Sequence, residues 1–212
     1  MKTQLDTIKR NHYISPGNQK LVGIPIWNLP AQFGIQWGSC WNLPARNTCP
    51  GSTAYCRRHC YAMKAERQYP YCLPCRKRNL YASMEWDFAE NMLLLLHPRS
   101  RAAKLGYMRI HESGDFYNQP YLDQWIRIAE ERPNIKFLAY TKSFHLSWAH
   151  QPENLITYWS VMPDSESVPA GSRAFAGACP GMRQAFHCVQ GRKCNTCLRC
   201  WNHSGDVRFD IH

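Results

Sequence analysis

Tyr107-Met108-Arg109-Ile110-His111, followed by Glu112-Ser113-Gly114-Asp115, has the form of a short strand that empties into a polar turn. Two later stretches repeat that form: Ile135 to Thr141 ends in Lys142-Ser143, and Leu155 to Val161 leads to Asp164-Ser165. Between the first two strands, Pro120 to Glu131 sets Leu122, Trp125, Ile126 and Ala129 at helical spacing. Strand, helix, strand, loop, strand predicts parallel βαβ units and an α/β fold. Upstream, the spacing predicts helices over Ala54 to Arg67 and over Ser83 to Leu96, the second stopped by His97-Pro98.

In parallel sheets the carboxyl ends of the strands form the ligand-facing edge. His111, Glu112, Ser113, Asp115 and Lys142 are therefore the candidate pocket. An imidazole beside carboxylates suits proton transfer or the binding of ligand amines and hydroxyls. Asp115 reads equally as a turn residue around Gly114, and Lys142 either pairs with a carboxylate or phosphate or is a surface lysine. Asp164, after Pro163, reads as a turn residue.

Eleven cysteines in 212 residues fall mostly in two bursts. The first is Cys49, Cys56, Cys60, Cys72 and Cys75, with Cys40 just ahead; the second is Cys179, Cys188, Cys194, Cys197 and Cys200. Cys194-x2-Cys197-x2-Cys200 matches the run that wraps one face of an iron–sulfur cubane, with a fourth ligand from elsewhere. Cys179, which precedes Pro180, or Cys188 fits that part, and Cys40 and Cys188 are the thiols expected to be spare. Cys72-x2-Cys75 with Cys194-x2-Cys197 would also make the two knuckles of a zinc site. Disulfides need an oxidising compartment, and Met1-Lys2-Thr3-Gln4-Leu5-Asp6 has no apolar export signal. The expectation is one or two 4Fe-4S clusters, on Cys49, Cys56 and Cys60 and on Cys179, Cys194, Cys197 and Cys200, with Cys72 or Cys75 able to close the first and zinc as the alternative. His187, His203 and His212 are weaker ligand candidates, because five cysteines are already at hand near them.

The net charge of +11 is unevenly spread. Residues 49–104 carry ten Lys and Arg against four Asp and Glu, whereas residues 105–169 carry five against eight. Anionic clusters offset part of that excess. Arg57-Arg58, Arg76-Lys77-Arg78 and Arg99-Ser100-Arg101 would form a basic face for nucleic acid or a host protein. The longest apolar run, Met92 to Leu96, is far too short to cross a bilayer, so a soluble, cytoplasmic protein without membrane contact is expected. Trp27-Asn28-Leu29-Pro30-Ala31 recurs as Trp41-Asn42-Leu43-Pro44-Ala45, two copies and so not a solenoid. The chain reads as a single domain: an N-terminal segment (1–48) with that repeat, a βα core (49–169) with the first cysteine burst, and a cysteine-rich segment (170–212).

In order, Trp41-Asn42-Leu43-Pro44-Ala45, Cys49-Pro50-Gly51, Cys56-x3-Cys60-Tyr61-Ala62, Arg109-Ile110-His111-Glu112-Ser113-Gly114-Asp115-Phe116 and Ala139-Tyr140-Thr141-Lys142-Ser143 resemble the gene product 88 family of phage and prophage proteins. That family itself looks like a shortened relative of radical S-adenosylmethionine enzymes. The resemblance implies a partial (βα) barrel of mostly parallel strands, here with a cysteine-rich C-terminal extension. It also implies a three-cysteine cluster whose open iron chelates S-adenosylmethionine. Cys49-x6-Cys56-x3-Cys60 is wider than the usual C-x3-C-x2-C, and no Gly-Gly-Glu segment follows, so His111 to Asp115 would stand in for it.

Overall fold

The structure, a computed structural model, describes residues 2–31, 47–177, 179, 181–189 and 191–210. Cys40 and the second copy of the Trp-Asn-Leu-Pro-Ala repeat lie outside the described residues. The chain begins with helix α1 (Lys2–Asn11) and two short strands, β1 (Ile14–Ser15) and β2 (Ile26–Trp27). Five helices follow: α2 (Ala54–Arg58), α3 (Tyr61–Gln68), α4 (Cys72–Ala82), α5 (Phe88–Leu95) and α6 (Arg101–Leu105). Then come β3 (Tyr107–Ile110), α7 (Gln119–Glu130), β4 (Lys136–Thr141) and β5 (Leu155–Val161). The C-terminal part adds β6 (Arg173–Ala176), β7 (Phe186–Cys188), the short helix α8 (Cys194–Cys197) and β8 (Val207–Phe209).

All eight strands join one sheet in the order β1-β2-β3-β4-β5-β6-β8-β7. Only the β1–β2 pair is antiparallel. The fold is therefore α/β with a mostly parallel sheet, as the strand–helix alternation predicts. The sheet is open, with β1 and β7 at its two edges, where a partial barrel was expected. Its outermost strands are two or three residues long, too short to carry the tilted, staggered pairing that closure needs. The sheet draws strands from residues 1–48, 49–169 and 170–212 alike.

Alternation along the strands sorts the two faces. Met108, Ile110, Phe137, Ala139 and Leu155 join the larger core with α5 and α7, around Trp27, Phe88, Tyr121 and Trp125, all fully buried. Leu138, Tyr140, Ile156, Tyr158 and Ala174 face the other way. Helix α7 forms where Asn118 accepts the Tyr121 N–H at 2.9 Å as N-cap and Tyr121, Leu122, Trp125, Ile126, Ile128 and Ala129 make one buried stripe. Past its far end, Asn154 Nδ2 donates to the carbonyls of Ala129, Arg132 and Ile135.

Both upstream helices are broken where continuous ones were expected. Cys60 is extended (φ −69°, ψ 102°) and separates α2 from α3. Ser83 closes α4 by donating its hydroxyl to Leu80 O at 2.7 Å, and α5 starts only at Phe88. The three strands β3, β4 and β5 and helix α7 lie within a residue of where periodicity puts them. No helix among the described residues is long and apolar enough to cross a membrane.

Candidate functional site

The second face of the sheet along β3, β4 and β5 is covered, among the described residues, by Leu21 and Ile24 and by the C-terminal segment around Trp201, with the cysteine-bearing segments and Asn18 to Leu21 beside it. They enclose a cavity of about 680 Å³. Its floor comes from Arg109, Leu138, Tyr140, Ser160 and Ala174 on successive parallel strands. One wall carries Cys49, Cys56 and Cys60, the opposite wall Cys188, Cys194 and Cys200. The volume lies within the range of small-molecule sites.

The first wall is built from a loop that docks on the carboxyl ends of the strands. Thr48 accepts the Asp115 N–H through its carbonyl at 2.8 Å and donates its hydroxyl to Pro30 O at 2.6 Å. Gly51 is pressed onto the Lys142 carbonyl, where an added Cβ would stand 1.9 Å from the oxygen. Thr53 caps α2 by accepting the Cys56 N–H at 3.1 Å, and Asp164 accepts the Tyr55 N–H at 2.8 Å. Asp164 is thus an anchor for α2 as well as a turn residue.

These contacts set Cys49, Cys56 and Cys60 close enough to act on one another and place Lys142 beside them, donating to the Cys56 sulfur. Burial pushes the Cys49 thiol up to about 12, with the Asp115 carboxylate adding to the shift and Lys142 opposing it. Cys56 is raised for the same first reason, again against Lys142. Uncharged thiols in an enclosed site become thiolates only when a cation or metal compensates them.

Cys72 and Cys75 are not in this group. They open α4, where Cys72 is raised by burial and then by Glu66 and Cys75 against Arg76, and Arg78 donates to the Cys75 sulfur at 3.1 Å. Neither lines the cavity.

The second wall holds its own recess of about 20 Å³, bounded by Cys188, Cys194, Cys197 and Cys200 with Phe186 and Trp201. Burial pushes Cys194 up to about 11 and raises Cys200, while Lys20 and Arg109 oppose the shift at Cys194. Cys179, expected with this trio, lies elsewhere. It is buried against Val161 and Phe175 and its thiol points to the carbonyls of Val161 and Ala176 at 3.5 and 3.4 Å. Cys188, expected to be spare, stands in its place.

None of the ten described cysteines is in a disulfide. Among the described residues no three or more His, Cys, Asp or Glu side chains take the arrangement of a single metal ion. His187 pairs with Asp210 at 2.7 Å, and His203 packs edge-on against Tyr158. His212 lies outside the described residues.

The strand-end residues divide by role. His111 takes a left-handed φ of 57°, which breaks the alternation of β3 and turns its ring into the helix-side core. There Nε2 meets the Tyr121 hydroxyl at 2.9 Å and Phe116 packs edge-on. Burial, then the Arg109 charge, push the imidazole down to about 3. Asp115 is also a structural pin: it accepts from Thr141 Oγ1 at 2.5 Å, from the Phe116 N–H and from the Lys142 N–H, both at 2.8 Å. Burial nonetheless raises its pKa.

All five predicted pocket residues, His111 and Asp115 included, line the cavity. Glu112 accepts from Asn18 Nδ2, and the Ser113 hydroxyl is buried without a hydrogen-bond partner among the described residues. The first copy of the repeat explains why this turn is rigid. Asn28 Oδ1 accepts both the Glu112 and Ser113 N–H at 2.8 and 3.0 Å, and Leu29 packs where Gly114 (φ 79°) has no side chain.

Two cavity residues escaped the sequence reading. Arg109 and Trp201 are 6% and 2% exposed and line the cavity with their side chains inside the protein. The signal for Arg109 was present: a charge at an inward position between Met108 and Ile110. The basic face is not one surface. Arg76 is buried against Glu66 at 2.8 Å, and Arg57-Arg58 on α2 and Arg99 to Arg101 beside α6 sit at opposite ends of β3.

Comparison with known proteins gives one family. The family model described as gene product 88 matches residues 15–176. The chain is 27% identical to the Gene 88 protein of Mycobacterium phage L5 over 197 residues, 76% of this chain and 81% of that protein. It is 29% identical to the Gene 88 protein of Mycobacterium phage D29 over 134 residues, 57% of this chain and 55% of that one. No solved structure matches.

Proposed function

The chain belongs to the gene product 88 family of phage proteins, and we propose that it is an iron–sulfur protein whose two cysteine sets face one ligand cavity. The observation that carries the reading is the meeting of Cys49, Cys56 and Cys60 with Cys188, Cys194 and Cys200 around that cavity, from opposite ends of the sequence. The first set borders a space and does not converge on a point, as thiolates around a cubane would, set wider apart than those around a zinc ion; the recess of about 20 Å³ within the second set would have to widen to take one. Cys49, Cys56 and Cys60 would hold one 4Fe-4S cluster and Cys188, Cys194, Cys197 and Cys200 the other. With Cys72 and Cys75 apart, a first cluster would have three thiolates from the described residues and so leave one iron for a ligand.

Such an iron supplies one-electron chemistry to what it binds, and S-adenosylmethionine is the ligand that the radical-enzyme resemblance implies. This chain's residues would shape the event. Lys142 would compensate thiolate charge at Cys56, and Glu112 offers a polar group to a ligand. A nucleic-acid role for the basic runs has less support, because Arg76 is ion-paired inside and the remaining runs are separated.

Iron and sulfide content of anaerobically purified full chain is the test, with Cys56→Ala and Cys188→Ala each expected to lose about half the iron. A colourless chain holding stoichiometric zinc sinks the cluster reading. A paramagnetic spectrum of the reduced protein that does not change on adding S-adenosylmethionine sinks the open iron alone.

A further inference from the structure

Among the described residues, no carboxylate pairs with the buried guanidinium of Arg109. It rises from β3 into the cavity floor, with the residue 6% exposed. Nε and Nη2 both donate to the His111 carbonyl, at 3.3 and 3.0 Å, and the group lies flat over the Tyr140 ring at 3.9 Å. Among the described residues no carboxylate stands within ion-pair distance of it and nothing partners Nη1. The nearby acids are committed elsewhere. Glu112 takes Asn18, and Asp115 takes Thr141 and two backbone amides. A charge withdrawn from water without a partner is costly, and proteins keep one where an anion arrives to meet it.

The surroundings repeat the same demand. Ser113 Oγ and Trp201 Nε1, from residues 3% and 2% exposed, are buried donors without acceptors, and both residues line the cavity. Lys20, Lys142 and Lys193 add positive charge to the walls, whereas Leu138 and Ala174 leave an apolar floor beside the guanidinium. The geometry of Arg109 is itself maintained at a cost. The His111 carbonyl that holds it belongs to a residue in the left-handed region, whose ring is tied to Tyr121.

We infer that the cavity takes a small organic anion whose carboxylate or phosphate seats on Arg109. This deepens the proposed function by naming the class of molecule that shares the cavity with the first cysteine set. It rests on that reading for the chemistry but not for the binding. A planar guanidinium held at two corners presents its remaining edge to an oxyanion, a task for which a lysine is a poor substitute.

The experiment is thermal unfolding and titration calorimetry of the full chain with inorganic pyrophosphate and, separately, malonate, at constant ionic strength set with sodium chloride. A saturable stabilisation by either oxyanion is expected, with pyrophosphate alone indicating a phosphate ester and malonate alone a carboxylic acid. Arg109→Met weakens that binding at least tenfold, while Lys104→Gln on the exposed side of α6 leaves it unchanged. Without added anion, Arg109→Met is at least as stable as the parent. Were the guanidinium merely a brace for His111, the variant would lose stability equally with and without anion and keep the response, which overturns the inference.

Should Arg109→Met not fold, Arg109→Lys keeps the charge and is expected to bind more weakly; undiminished binding there also overturns it. Loss of iron from Arg109→Met with the anion response intact would make the second cysteine set the counter-charge, again overturning it. An iron-loaded protein that responds to neither oxyanion defeats this inference alone. A metal-free chain with an Arg109-dependent response defeats only the iron–sulfur reading.

Discussion

Gly51 and Gly114 show how single residues hold the cavity's first wall. Gly114 needs both its left-handed backbone and its missing side chain, because a Cβ would stand 2.6 Å from that of Leu29. Gly51 has no unusual φ, only the Lys142 carbonyl against it. Gly51→Ala is expected to cost about 1–3 kcal/mol by overpacking and, because Cys49 moves with its loop, to lower iron content as well. Calorimetric unfolding with iron analysis checks both, and retained iron would show that the loop yields without disturbing the thiol. His111 carries a pH prediction. Its folded form stays neutral down to about pH 3, below the ordinary value of 6.5. Between those values the unfolded chain takes up a proton that the folded one refuses, so stability falls with acidification by about 1.4 kcal/mol per pH unit. His12, lowered mainly by burial beneath Phe88, acts in the same direction. Urea unfolding at about pH 7 and about pH 5 should show a shallower decline for His111→Gln than for the parent. The sequence placed His111 at the strand end but not its ring, since the left-handed turn that directs the imidazole into the core comes from tertiary contacts with Tyr121 and Phe116.

Among the elements, those legible beforehand were long enough to show a period. Helix α7 buries helically spaced residues and strands β4 and β5 are nearly continuous buried runs, and both patterns are visible in the order of the residues. Strands β1, β2, β7 and β8, of two or three residues, carry no period, and their pairing follows from neighbours distant in sequence. The helix break at Cys60 was equally hidden, because Ala54 to Gln68 has good helix formers throughout and the extended residue serves the placement of a thiol. Caps at α7 should be separable from the site. Asn118→Ala is expected to cost about 1 kcal/mol and to leave iron and anion binding unchanged. Asn28→Ala is different in kind, because it strands the Glu112 and Ser113 amides and loosens the turn beside the cavity. A loss of anion affinity with Asn28→Ala, and none with Asn118→Ala, is the expected contrast in titration.

For the molecule as a whole, the cysteine spacing pointed to two groups of thiols, and the structure brings together two groups of different membership. Cys194, Cys197 and Cys200 are adjacent in sequence, whereas the choice between Cys179 and Cys188 depends on β7 running beside β8 at the edge of the sheet. Cys179→Ala is expected to cost stability through its buried contacts with Val161 and Phe175 and to leave iron content intact. Cys188→Ala should do the reverse, and iron-to-protein ratios of the two variants decide it. The open sheet and its order were only partly foreseen. The connections between β4, β5 and β6 contain no helix, which leaves the second face for the terminal segments to cover.

That division of labour sets a schedule for biosynthesis. One wall of the cavity comes from the chain between β2 and β3 and the other from the stretch between β7 and β8, so a nascent chain still missing its last strands has neither the second wall nor its complete set of thiols. The pocket therefore closes only once both segments have been made and docked on the sheet, whereas the first set of thiols is available much earlier in translation.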